Sequence, residues 1–188
     1  RDQFIRAIND LGEPDASALI TADETVWQDQ IYQTAFGTDN NLSISEGYEN
    51  TAYRISAGYL LQEGVLKTSE YNRKTLALNL RQNLFDNSLK MDFNIRGSFA
   101  QDEFANEGAI GSSVSMDPTK PIYSGGSDYN GYWEWLNNDG SPNNLAPRNP
   151  VGLLDAFDSH AATNRYIGNA KFDYAFWFLE GLSIVANF

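Results

Sequence analysis

The sequence predicts an all-β protein, and more narrowly part of a transmembrane antiparallel β-barrel: about six strands, a short helical segment at the start and one long extracellular loop. Three observations carry this. Apolar and polar residues alternate with period two along six stretches. Four of the apolar faces persist for about ten residues, near the roughly 9–11 that a tilted membrane strand needs and beyond the usual five or six of a soluble strand. The connections alternate between tight turns and long links, as in an up-and-down barrel whose turns are short on one side of the membrane and long on the other.

Element by element, Phe4, Ile5, Ile8 and Leu11 have helical spacing and predict a helix that stops at Gly12. Asp23 or Thr25 is placed to cap a short helix through Trp27, Ile31 and Tyr32, and Gly37-Thr38-Asp39-Asn40 breaks into the first strand. Leu42 and Ile44 begin the alternation. Tyr53, Ile55, Ala57, Tyr59 and Leu61 continue it, followed by Leu76, Leu78 and Leu80. The cleanest instance is Leu89, Met91, Phe93, Ile95, Gly97 and Phe99. Tyr166, Gly168, Ala170, Phe172, Tyr174 and Phe176 make the fifth strand, with Ile167 the one misfit, and Leu182, Ile184, Ala186 and Phe188 the sixth.

Glu46–Asn50, Phe85–Ser88 and Leu179–Gly181 read as tight turns, because Gly, Asn and Asp supply the positive φ or side-chain bonds that such turns require. The long links run from about Gln62 to Tyr71 and from about Asp102 to Thr163. The parity opposite the apolar one carries Arg54, Arg81, Lys90, Asp92, Arg96, Arg165, Lys171 and Asp173, a mixture of signs suited to a polar lumen. Aromatic residues gather toward strand ends, where amphipathic rings favour the lipid headgroup level. The alternative that shares this alternation is a secreted soluble β-sandwich that binds carbohydrate through an aromatic loop.

Charge and composition exclude other classes. Thirteen Lys and Arg against 25 Asp and Glu give a net charge of −12, which repels a nucleic-acid backbone. No cysteine and a single histidine leave no thiol chemistry, no thiolate zinc site and no multi-histidine metal centre. Ala175–Leu179, the apolar run near the end, is far shorter than the roughly 20 residues of a membrane-spanning helix.

Several segments resemble one family, in order and with matching spacing. Trp27–Ala35 is similar to a Trp-Gln-Asp-x-Ile-Phe-Arg-Thr-Ala helix, Asn41–Gly47 to the strand that follows it, and Tyr53–Gly64 to the next strand. Met116–Tyr123 is similar to a loop segment of the Asn-Pro-Thr-x-Pro-Val-Tyr kind, Asn149–Leu154 to an Asn-Pro-Val-Ala-Leu-Leu segment, and Asn164–Tyr174 to a further strand. Together they resemble the start of the barrel in SusC/RagA-type TonB-dependent outer-membrane transporters. Asn40 stands where that family often has His, and Glu46 where it often has a small residue.

The resemblance implies that residues 1–40 lead into the barrel and that residues 41–188 are the first strands of a larger, 22-stranded barrel, including the long loop 102–163. Phe188 is then a point within a strand, and a plug domain and TonB box belong upstream of Arg1. It also implies an outer-membrane location, a SusD-like surface lipoprotein as partner, energy from the TonB complex through the plug, and an oligosaccharide or peptide as cargo.

The chemistry-bearing candidates lie in the long loop. Tyr129, Tyr132, Trp133 and Trp135, with Asp128 and Glu134 beside them, offer flat apolar faces and polar edges for a substrate. The same residues also suit a hydrophobic cluster that keeps the loop folded. Acid pairs such as Asp155 and Asp158, or Glu134 and Asp139, lack any feature that separates catalysis from a solvated acidic surface. Their spacing fits no calcium loop, and His160 has no nucleophile motif near it. The sequence predicts no catalytic residue, no metal and no cofactor.

Overall fold

The computed structural model describes residues 1–11 and 20–188, which fold as two compact units. One comprises Phe36–Glu63, Glu70–Asp102 and His160–Phe188. It is a single antiparallel sheet of β1 (Gly37–Tyr48), β2 (Thr51–Glu63), β3 (Glu70–Leu84), β4 (Leu89–Glu103), β5 (His160–Ala175) and β6 (Ser183–Asn187), lying in chain order. The strands expected from alternation are all present, and the first five run longer than their apolar faces alone indicate, at 12 to 16 residues. Such lengths suit a bilayer crossing better than a soluble strand.

Register turns the alternation into two chemically different faces. Ile44 pairs with Ile55 and Ile55 with Leu78, while Leu42 pairs with Ala57 and Ala57 with Leu76, so apolar side chains form continuous rows. On the opposite face Ser43 pairs with Ser56 and Ser45 with Arg54, with the two serine hydroxyls 2.8 Å apart. Phe93 meets Phe172 and Phe99 meets Tyr166 edge-to-face, which carries the apolar face across β4 and β5. Arg81 and Asp92 pair at 2.8 Å on the polar face.

No residue of the six strands is buried, and the apolar face is open: Leu42, Ile44, Ile55, Leu76 and Ile95 each expose more than half their surface. A sandwich would cover these residues with a second sheet, yet the described residues form one sheet only. From Leu89 to Phe99 the apolar row of β4 rises about 34 Å along the strand, or about 25 Å along a membrane normal at the usual barrel tilt, which matches the height of an outer-membrane apolar band. Near the β1–β2 turn this face ends in a polar contact, Tyr53 donating to Glu46 at 2.9 Å. Two hollows lie against the polar side of the sheet, and there the Thr75 and Asn41 side chains come in over Gly58: a Cβ would fall 2.5 Å from Thr75 Oγ1 and 2.6 Å from Asn41 Oδ1.

The tight connections fall where expected. The β1–β2 turn is only Glu49-Asn50, and in the β3–β4 turn Phe85, Asp86 and Asn87 all adopt left-handed φ of 51–68°. Asn and Asp tolerate that region, whereas Phe85 is held in it. The long links shorten to 64–69 and 104–159, because the flanking strands extend into them. Gly37 pairs with Gln62 and Glu63 with Glu70, so the start of β1, the end of β2 and the start of β3 lie at the same end of the sheet.

The second unit comprises Arg1–Ala35, Gly64–Ser69 and Glu103–Ser159. It contains α1 (Asp2–Asp10), α2 (Trp27–Ile31), α3 (Gly108–Ser115) and α4 (Pro150–Asp155), and it holds the buried hydrophobic core: Ile31, Leu66, Ala109 and Leu154, with Tyr32, Ala105 and Leu153 packed around them. The helix expected from Phe4, Ile5, Ile8 and Leu11 forms as α1, while its expected stop, Gly12, lies outside the described residues. Neither Asp23 nor Thr25 caps α2. Val26 occupies the N-cap with no side-chain bond, because the Thr25 hydroxyl is engaged elsewhere, donating to the Lys120 carbonyl at 2.7 Å. The 64–69 link docks on α2: Lys67 N–H donates to Ile31 O at 2.9 Å and Gln33 N–H to Val65 O at 2.9 Å.

If the apolar face meets lipid, an arginine there is costly and one on the other face is not. Leu78→Arg is expected to lower the folding stability of the full-length protein in lipid vesicles by about 2–4 kcal/mol, and Asn79→Arg by about 1 kcal/mol or less. Urea titration of vesicle-inserted protein measures both, and equal losses at the two positions would remove lipid from the apolar face.

Candidate functional site

The candidate aromatic residues sit on two short hairpins of the second unit. In the first, Trp133 N–H donates to Ile122 O at 3.0 Å and Ser124 N–H to Gly131 O at 2.8 Å, around a 3₁₀ turn at Asp128–Gly131. Tyr129 and Asn130 take left-handed φ of 51° and 57° in that turn. In the second, Asn143 N–H donates to Trp135 O at 2.7 Å and Asn137 N–H to Ser141 O at 2.8 Å. Asp139 closes its tip by accepting from Ser141 N–H at 2.9 Å and Ser141 Oγ at 2.6 Å, bonds that hold its carboxyl below the usual range. The Tyr129 hydroxyl donates to Gly140 O at 2.6 Å and ties the two hairpins together.

Three backbone-anchored features fix these hairpins. The Met116–Pro121 stretch is clamped by residues 21–27: Thr25 N–H donates to Pro118 O at 2.9 Å and Trp27 Nε1 to Asp117 O at 2.9 Å, and the Thr21 hydroxyl donates to Thr119 O. Asp117 in turn accepts from Thr119 N–H and Oγ1, both at 2.8 Å. Lys120, only 3% exposed, lies 3.8 Å from Asp117 and against two rings, its Nζ 5.4 Å from the Trp133 centroid and 5.1 Å from that of Trp135. A desolvated ammonium facing aromatic rings gains on the order of 2 kcal/mol per good contact, which offsets part of its burial.

Asn149 is the third feature. Fully buried, it caps α4 by accepting from Val151 and Gly152 N–H at 3.0 and 3.1 Å, and its Nδ2 donates to Ile122 O at 2.8 Å and Trp133 O at 3.0 Å. Pro150 follows at the first helical position, where its missing N–H costs nothing. One amide side chain thus joins helix and hairpin. Glu134, its side chain 5% exposed, accepts from Arg148 Nε at 3.0 Å and Asn149 N–H at 3.3 Å.

These contacts separate the four predicted substrate residues into two pairs. Tyr129 and Tyr132 line a cleft of about 570 Å³ together with Asp128, Glu134, Arg148 and Phe157. Tyr132 donates its hydroxyl to the Asp155 carboxylate, and its ring lies between Tyr123, 5.3 Å away, and Gly152, where a Cβ would come within 3.0 Å of the ring. Trp133 and Trp135 meet edge-to-face at 4.9 Å around Lys120. Trp135 also borders an apolar hollow of about 350 Å³ with Phe4, Ile8, Ile20, Ala146 and Pro147. Lys120, Asn149 and Arg148 were not singled out from sequence. For Asn149 the signal was there, since Asn-Pro before an apolar run is a helix-start signature; for Lys120 nothing local marked it.

The acid pairs have structural partners. Asp155 holds Tyr132, Glu134 holds Arg148, and Asp139 closes a turn. Among the described residues no group of three potential metal ligands comes together. The cleft presents the Arg148 guanidinium, the Asp128 carboxylate and tyrosine rings, polar edges beside flat apolar faces.

No family model matches the sequence. The chain is 34% identical over 201 residues to the TonB-dependent receptor SusC of Bacteroides thetaiotaomicron, covering 99% of itself and 20% of that protein. It is 30% identical over 149 residues to the TonB-dependent receptor P26 of Formosa agariphila, covering 79% of itself and 14% of that protein. Its fold matches the solved RagAB peptide importer in the closed-closed state with a TM-score of 0.58 at 16% identity, over 99% of this chain and 22% of that one. The chain spans about a fifth or less of the length of the curated relatives it matches.

Removing the Asn149 amide leaves two carbonyls and two N–H groups without their partner. Asn149→Ala is expected to destabilise the helical unit by about 2–4 kcal/mol, read as faster proteolysis of the 104–159 connection in the full-length protein. The Tyr132 phenol is pushed up to about 12, chiefly by its hydrogen bond to Asp155 and then by burial. Its stabilisation is therefore complete below pH 10 and lost as pH rises from 10 toward 12. In Asp155→Asn the ultraviolet titration of Tyr132 is expected to move back toward 10, and an unchanged titration would remove Asp155 as the cause.

Proposed function

Taking the chain as a stretch of an outer-membrane receptor of the SusC/RagA type, we propose that it forms part of the wall and outer mouth of a nutrient importer. The cargo is an oligosaccharide or peptide too large for a simple pore. The observation that carries this reading is the sheet itself, apolar and open on one face, polar and hollowed on the other.

On this reading the barrel has 22 strands and residues 41–188 supply its first ones, with residues 1–40 leading in and the 102–163 connection on the outside of the cell. A SusD-like lipoprotein covers the mouth, and TonB acts through a plug that lies outside this chain. The segment performs no reaction. Its work is physical: an apolar band for lipid, a polar inner wall, and a folded outer loop whose Tyr129, Tyr132 and Arg148 cleft touches cargo. Trp133 and Trp135 contribute to that contact by holding the hairpins through Lys120, with their outer edges toward the cargo.

Deleting the gene for the full-length receptor is expected to abolish uptake of one labelled oligomer class from a panel of oligosaccharides and peptides, while monosaccharide uptake continues. Unchanged uptake of every oligomer would refute the importer reading. Restoring the receptor with Arg148→Ala should weaken uptake of that oligomer about tenfold at low concentration, since one charge-assisted contact is lost.

A further inference from the structure

The polar face of the sheet carries three arginines that form no ion pair among the described residues. Arg73 on β3, Arg96 on β4 and Arg165 on β5 line one hollow of about 570 Å³, all three exposed to it. None of them forms an ion pair among the described residues, whereas Arg81 on the same face is matched by Asp92 at 2.8 Å. A single carboxylate, Asp102, borders the hollow. In a chain of net charge −12, such a local excess of positive charge runs against the prevailing sign.

Position and surroundings say what this excess suits. Arg73 lies three residues into β3 and Arg165 five residues into β5, so both sit toward the strand ends where the long connections leave. The hydroxyls of Thr75 and Ser98 share the hollow, and each both donates and accepts. Guanidinium forks match carboxylates in a two-bond geometry, and a concave wall lined by one sign of charge concentrates the opposite ion. Guanidinium with neighbouring hydroxyls suits a carboxylate carried on a hydroxyl-rich ligand, as in an acidic sugar.

We propose that Arg73, Arg96 and Arg165 form a binding station for the carboxylates of a uronate-containing oligosaccharide entering along the inner wall. This narrows the importer reading and rests on it. Neutral sugars of equal length lack the group these arginines hold and bind the station weakly. Binding weakens as salt rises, because exposed guanidinium–carboxylate pairs are screened.

The test uses the full-length receptor in detergent, with octagalacturonate and maltooctaose as probes in titration calorimetry. Octagalacturonate is expected to bind in preference to maltooctaose and to lose affinity with added salt. R73Q/R96Q/R165Q together should weaken it at least about tenfold, the single R165Q by a smaller factor, and Lys90→Gln near the β3–β4 turn should leave it unchanged. Equal binding of the two probes overturns the proposal. So does a fall in the melting temperature of the sugar-free R165Q protein, which would show that the arginines already hold carboxylates of the receptor itself. Uptake of labelled probes by intact cells separates the two readings. Transport of maltooctaose without preference for octagalacturonate rejects the station and keeps the importer; binding of octagalacturonate without transport of any oligomer rejects the importer and keeps the station.

Discussion

A slip of one residue between β1 and β2 would bring Ser43 opposite Ile55 or Ala57 and put a hydroxyl into every apolar row. Because side chains alternate with period two, the whole strand would change faces at once. The pairing in place puts Leu42 with Ala57 and Ile44 with Ile55 on one side, Ser43 with Ser56 and Ser45 with Arg54 on the other. No strand residue is buried, so the sheet draws nothing from a core of its own. In the proposed barrel, what fixes the sheet's register is the pair of different solvents that its faces meet, hydrocarbon on the apolar side and water on the polar side. The two-residue turn at Glu49-Asn50 sets that register from the end, and the serine contact at 2.8 Å repeats it in the middle.

The second unit is built on the opposite economy. There Ile31, Leu66, Ala109 and Leu154 are buried, and polar side chains are buried with them when their bonds are complete. Asn149 fills all four of its bonding positions, Asp117 is met by Thr119 and Lys120, and no buried side-chain polar atom among the described residues lacks a partner. Completeness matters, since each unmet buried group costs about 1–3 kcal/mol. The result is a loop with the order of a small domain, in which aromatic residues hold position first and offer surface second.

The sheet was legible in the sequence and the loop was not, for a physical reason. Alternation is a local signal, and Leu89 to Phe99 states both the strand and its outward face within eleven consecutive positions. Strand ends were harder: β1 and β3 outrun their apolar residues because backbone pairing continues through Gly47 and Arg73 where side chains give no cue. In the loop, the partners of Thr25 and Trp27 lie some ninety residues away at Lys120 and Asp117. No spacing rule reaches that far, which is why Thr25 read as a helix cap and serves instead as a clamp. Tyr132 and Trp133 are adjacent in sequence and end on opposite errands, one in the cleft and one on Lys120.

The hydrogen bond from Phe104 N–H to Ser159 O, 2.8 Å long, holds the two ends of the 104–159 connection together. Bringing distant ends of a chain together costs entropy that grows by about 0.6 kcal/mol with each doubling of length, and it must be met before the strands beyond can pair. Here the loop meets most of that cost with its own packing. Ala109 of α3 packs with Leu154 of α4, so the middle of the connection is folded on itself while Phe104 and Ser159 join its ends. Short connections join β1 to β4, whereas β5 follows the long one, so closing the 104–159 connection is the costliest step in bringing neighbouring strands of this sheet together.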